Sequence, residues 1–115
     1  MRIDEIMYEN DVLTVRCSGV FGAGSGGNPS TALLRDSIRS WLQEHRVKPL
    51  AEIELDLSRV EYVWGDGPVS SVLPFLAEGV SKVRIISSPN NRDALQSLIE
   101  KSNVPWLELT TVMPN

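Results

Sequence analysis

The sequence has little cysteine, little histidine and no long apolar run. Its lone cysteine, Cys17, excludes an internal disulfide framework and any multi-cysteine zinc site. Its lone histidine, His45, excludes a multi-histidine metal centre. No cofactor and no metal are therefore expected. No stretch approaches the ~18–20 apolar residues that span a bilayer, so no membrane partner is expected. Basic residues are also short: 11 Lys+Arg stand against 15 Asp+Glu, a formal net charge of −4. That balance leaves no electrostatic footprint for nucleic acid or an anionic lipid surface. The first residues, Met1-Arg2-Ile3-Asp4-Glu5, are acidic where a secretory leader is basic and then apolar. A reduced, cytoplasmic setting is the expectation.

What is present reads as an ordinary globular chain. Its 115 residues are 42% hydrophobic and 23% charged, which suits a single domain spanning 1–115. Such a chain buries roughly two-thirds of the surface its unfolded form exposes. Residues around Ile3 to Tyr8 are extended, Asn10-Asp11 marks a tight turn, and Val12 to Cys17 is rich in β-branched residues. Together these predict an opening β-hairpin.

Five of the eight glycines fall between Gly19 and Gly27. The run predicts a mobile or unusually shaped loop. Leu34, Ile38, Trp41 and Leu42 then line one face of a helix that opens near Pro29 and ends near His45, before Pro49. Ile53, Leu55 and Leu57 predict a strand whose other face, Glu52, Glu54 and Asp56, is polar. Val60, Tyr62 and Val63 are assigned to the loop that follows. Val69, Val72, Leu73 and Leu76 recur at i, i+3, i+4 and i+7 and predict a second helix, with Asp66 as its N-cap. Pro74 lies well inside that helix and should kink or split it. Phe75 falls off the stripe and is expected at the surface beside Ser71. Lys82 to Ser87 is a strand, Leu95, Leu98 and Ile99 line a third helix, and Trp106 to Val112 closes as a strand. The order β-β-α-β-α-β-α-β predicts an α/β fold with a mixed sheet of four to five strands and three helices.

Two blocks within this order resemble a known family. Glu54-Leu55-Asp56-Leu57-Ser58-Arg59-Val60 runs into a short glycine-containing loop and an apolar helix. Val83-Arg84-Ile85-Ile86-Ser87-Ser88-Pro89 leads into a helix carrying Leu95 and Leu98. Both are similar to the STAS domain of anti-sigma-factor antagonists, over about Val12 to Leu109. The resemblance implies a non-catalytic regulatory module of a bacterial cytoplasm. Its partner would be another cytoplasmic protein: an anti-sigma factor, a kinase-like protein or a larger complex. A homodimer is compatible with it. The partner surface it implies comprises Trp64, Gly65, Asp66, Gly67, Ser71 and Phe75. The chain departs from the family where the family's D-S-[ST]-G falls on Trp64-Gly65-Asp66-Gly67. The phosphorylated serine becomes Gly65, which has no hydroxyl. Asp66 becomes a fixed charge near the position of the missing phosphate, or simply a helix cap.

A second function class stands beside this one. Gly22-Ala23-Gly24-Ser25-Gly26-Gly27 satisfies G-x-G-x-x-G between a strand and a helix. It makes Gly22, Gly24, Ser25 and Gly27 candidates for small-ligand or nucleotide binding. Pro29 is expected to hold the glycines away from the helix, and Asp56 lies about thirty residues on rather than about twenty. No Gly-Lys-Ser/Thr follows, so the Walker pattern fails. Gly19-Val20-Phe21 stands where a phospho-accepting receiver carries its acidic pair. No motif pairs His45 with a nucleophile, and Cys17 reads as a small buried hydrophobe. An enzyme is therefore not expected.

Overall fold

Asn10 and Asp11 both take positive φ, 53° and 66°. That is the geometry of a two-residue turn whose twist matches its flanking strands. Strands β1 (Arg2–Glu9) and β2 (Val12–Phe21) pair antiparallel around it, as the sequence predicts. The computed structural model describes residues 1–22, 28–46, 50–62 and 64–112.

Helix α1 (Asn28–His45) buries Leu34 and Ile38 completely. At its end the His45 ring stacks on Trp41, centroids 4.0 Å apart, and Nδ1 donates to the Trp41 carbonyl at 3.0 Å. Strand β3 runs Glu52–Tyr62, longer than predicted, because Val60 and Tyr62 belong to the strand; Val63 lies outside the described residues. The reason is a bulge. Arg16 pairs with Asp56 but Ser18 pairs with Arg59, so β3 carries one extra residue. That shifts the alternation by one, and Leu57, Val60 and Tyr62 all point inward. The Asp56 carboxylate accepts from the Ser58 N–H at 3.0 Å and from its hydroxyl at 2.6 Å. A local acceptor of this kind satisfies an N–H that a bulge takes out of the ladder.

Two short helical turns follow, α2 (Gly67–Ser70) and α3 (Leu73–Leu76). Then come β4 (Lys82–Ser87), a 3-10 turn at Pro89–Asn91, α4 (Arg92–Ser102) and β5 (Leu107–Thr111). The sheet has five strands in sequential order, β1-β2-β3-β4-β5, with β2 to β5 parallel. Right-handed crossovers between neighbouring strands bring every helix to the same face. That face holds the core: Leu13 and Val15, Ile53 and Leu55, Val83 and Ile85, and Leu107 are all buried. The radius of gyration is 13.1 Å.

The opposite face is open and charged. Arg84 on β4 reaches Glu108 on β5 at 2.9 Å and Glu54 on β3 at 3.4 Å. Lys82 lies 3.3 Å from Glu108 and 3.7 Å from Glu52. Arg16 lies between Glu5, at 3.1 Å, and Asp56, at 3.8 Å. The Arg84 bond and the nearby cations hold the Glu108 carboxyl below its ordinary range. Each such exposed pair contributes ~0–1 kcal/mol. The register sets opposite charges directly across neighbouring strands, Glu52 opposite Lys82 and Arg84 between Glu54 and Glu108.

The predicted second helix is split, and Leu73 and Phe75 exchange the places expected of them, while Val69 and Val72 are buried as expected. Pro74 has no N–H to give the Ser70 carbonyl. The chain makes three-residue turns instead: Val72 N–H donates to the Val69 carbonyl at 3.2 Å and Phe75 N–H to the Val72 carbonyl at 3.0 Å. At that period Val69, Val72 and Phe75 share the buried side. Phe75, expected at the surface, is 1% exposed, and Leu73, expected in the core, is 48% exposed. The Arg39 guanidinium lies 5.2 Å over the Phe75 ring and pairs with Glu78 at 3.0 Å. Phe75→Ala is therefore expected to cost ~3–5 kcal/mol through lost burial and a cavity. Leu73→Ala should cost less than ~1 kcal/mol. Urea unfolding of the two variants checks the order.

Candidate functional site

Tyr62 ends β3 and anchors the loop after it. Its ring meets Phe21 edge-on, centroids 6.4 Å apart, and its hydroxyl donates to the Gly65 carbonyl. Burial pushes the Tyr62 pKa up, and the Asp66 carboxylate adds to the shift. The hydroxyl therefore stays protonated and remains a donor. Gly65 takes φ +121°, a conformation that side chains strain. The backbone at Gly65 thus disfavours a serine. Trp64, before it, is 60% exposed.

Asp66 occupies the N-cap position of α2, but its carboxylate makes no capping bond. Its carbonyl does the work, accepting from Val69 N–H at 3.0 Å and Ser70 N–H at 2.8 Å. The expected side-chain cap is thus absent. With α2 only four residues long, little helix dipole is available to hold a charge there. Gly67 is buried, and a Cβ on it would lie 2.3 Å from the Phe21 ring and 2.6 Å from Thr31 Oγ1. It lets β2, α1 and α2 meet. Ser71 is fully buried and donates to the Pro68 carbonyl at 3.2 Å.

Of the six residues expected to form a partner surface, Trp64 and Asp66 are exposed and Gly65 is half-buried. Gly67, Ser71 and Phe75 are corrected to interior positions. A partner cannot touch them in the folded state.

The structure supplies a second wall that the sequence reading missed. Trp64, Tyr62 and Asp66 face α4 across a cavity of about 460 Å³. On the α4 side it is lined by Ala94, Ser97, Leu98 and Lys101, with Ser102 at the end. Those four recur at i, i+3, i+4 and i+7, a legible signal of one helix face. Ala94 and Ser97 are small, which leaves room between helix and loop. The Asn91 side-chain amide donates to the Val60 carbonyl and ties the start of α4 to β3. The lining includes an acid, Asp66, on the loop side and a base, Lys101, on the α4 side.

Gly22 is half-buried at the end of β2, while Gly24, Ser25 and Gly27 lie outside the described residues. Helix α1 begins at Asn28, so Pro29 sits in its first turn and does not separate the glycines from it. The sequential strand order, however, has no switch point at which helices pass to opposite faces. That is where open α/β sheets form their nucleotide crevice. Cys17 is 2% exposed. Burial pushes its thiol up to about 12, with Asp4 and Asp56 adding to the shift. A protonated, covered thiol is a poor nucleophile. Among the described residues no group of three or more His, Cys, Asp or Glu is placed to hold a metal, and no helix is long and apolar enough to cross a membrane.

Compared with known proteins, the chain matches no family model and no curated protein.

Two outcomes follow from this geometry. Gly65→Ser, which restores the hydroxyl, should cost ~1–3 kcal/mol through backbone strain, and Gly67→Ala should cost at least as much by overpacking. Both are read by urea unfolding. Cys17 should resist a thiol reagent at pH 8 in the native protein and react fully in denaturant. Its folded pKa lies above the unfolded value, so its stabilising contribution is complete below about pH 9 and is lost as pH rises towards 12. Unfolding of wild type and Cys17→Ala across that window tests the sign.

Proposed function

We propose that this protein is a non-catalytic protein–protein interaction module, and that the cavity between the Trp64 loop and α4 is its recognition surface. The observation that carries the reading is Trp64. It is a large aromatic, 60% exposed, held at the rim of a cavity by a loop whose own hydrogen bond fixes its path. Water-exposed tryptophan beside a concave site is the residue type that most often anchors a partner. Asp66 on the loop side and Lys101 on the α4 side add a charge pattern that selects orientation more than affinity. The resemblance to anti-sigma-factor antagonists supports the same surface, since the loop after β3 is where those proteins meet partners. Gly65 supplies no phosphoacceptor, so in this reading the complex is not released by phosphorylation at that position. A cytoplasmic protein partner belongs to the same proposal.

The test compares wild type, Trp64→Ala and Asp66→Ser, each immobilised and exposed to an extract of the source cells. Trp64 packs little against the core, so Trp64→Ala should leave the urea midpoint within ~0.5 kcal/mol of wild type. It should nonetheless reduce the retained partner at least tenfold, the loss expected for a central anchor. Asp66→Ser should weaken retention less. Equal retention by wild type and Trp64→Ala would remove the cavity as the recognition surface.

A further inference from the structure

We infer that the outer edge of β5 is a self-association site, and that two copies pair antiparallel about a two-fold axis at Leu109. The sheet has two edges, and they are built differently. β1 is blunted: Asp4 makes a bulge opposite Cys17 and Arg16, and Arg2, Asp4, Glu5 and Glu9 put charge along it. Bulges and charges are how edge strands avoid further pairing. β5 carries neither a bulge nor a proline. Its one charge, Glu108, is already engaged by Arg84 and Lys82.

The direction of its free backbone groups follows from the ladder. Val83 N–H donates to the Trp106 carbonyl at 2.7 Å, and Val112 N–H donates to the Ser87 carbonyl at 2.9 Å. A parallel ladder engages alternate residues. Glu108 and Thr110 therefore complete the bonds to β4. The N–H and C=O groups of Leu107, Leu109 and Thr111 point away from the sheet, and no described strand pairs with them.

An antiparallel second β5 centred on Leu109 meets all of these groups. Leu109 pairs with its own copy and Leu107 with the partner's Thr111, and the reverse, which gives six backbone hydrogen bonds. In this register Glu108 lies opposite Thr110, so no like charges meet. Centring on Glu108 would set two carboxylates face to face, and centring on Thr110 would leave only four bonds among the described residues. The side chains agree with the Leu109 register. Leu109 is half-buried at the end of the core layer, and its copy would continue that layer. Val112, 46% exposed, would come opposite Trp106, an aromatic and β-branched cross-strand pair. The product is a ten-stranded sheet with the blunted β1 edges outermost. The site is independent of the Trp64 cavity.

Sedimentation equilibrium from micromolar to about 1 mM chain, with two variants at exposed Thr110, decides it. Thr110→Glu sets two new carboxylate pairs across the axis and should weaken association on the order of tenfold. Thr110→Lys faces Glu108 of the other copy and should tighten it. Circular dichroism of each variant confirms an intact monomer fold, and Trp64→Ala should dimerise as wild type does. A wild type that stays monomeric throughout, or a dimer that responds equally to both charges, overturns the proposal.

Discussion

Sequential strand order is the constraint on which the rest depends. Each parallel neighbour is reached by a crossover of fixed hand, so α1, the α2–α3 turns and α4 all lie on one face. The sheet has to be two-sided. The inner strands mostly alternate between an apolar residue that meets the helices and a polar residue on the other face; the end of β4 departs from this, with Ser87 buried and Ile86 on the open face. The alternation is why Glu52, Glu54 and Asp56 sit between Ile53, Leu55 and Leu57 in a strand flanked by parallel partners. A parallel strand covered on both faces would read as a continuous apolar run.

One-sided covering makes the phase of each strand decisive, and β3 changes phase partway. Without the extra residue near Ser58, Val60 and Tyr62 would point to the open face. With it, Tyr62 arrives inside, packs against Phe21 and reaches the Gly65 carbonyl. The Asp56–Ser58 bonds that settle the bulge thus determine where the Trp64 loop begins. The Asp-Leu-Ser run matters here as backbone chemistry, and its effect is felt six residues later.

Much of this was legible in the sequence, because local signals and global fold agree. Asn10-Asp11, the α1 stripe of Leu34 and Ile38, and the alternation in β3 all carry their structural meaning in their spacing. What failed was phase across a break. Pro74 announced the split, yet the stripe Val69, Val72, Leu73 and Leu76 assumed an unbroken helix of 3.6 residues per turn. The observed turns advance by three, which brings Phe75 inward and turns Leu73 out. The extent of β3 was misjudged for the same reason, since an alternation that slips by one looks like its end. In the α4 wall of the cavity, Ala94 and Ser97 carry no large apolar signal of their own. They matter by being small.

The two glycines of the Trp64 loop show how a backbone requirement and a chemical one can compete at a single position. Gly65 has φ +121° and Gly67 has no room for a Cβ. Either substitution is penalised whatever the protein binds. The lack of a hydroxyl at Gly65 therefore has a sufficient cause in the path of the chain, with no need to invoke regulation. Asp66 between them is under no such restriction. Its carboxylate makes no capping bond and α2 is a single turn, so stability gives little reason for an acid there. A charge that the fold does not use, beside a tryptophan the fold does not bury, is where binding has most freedom to act.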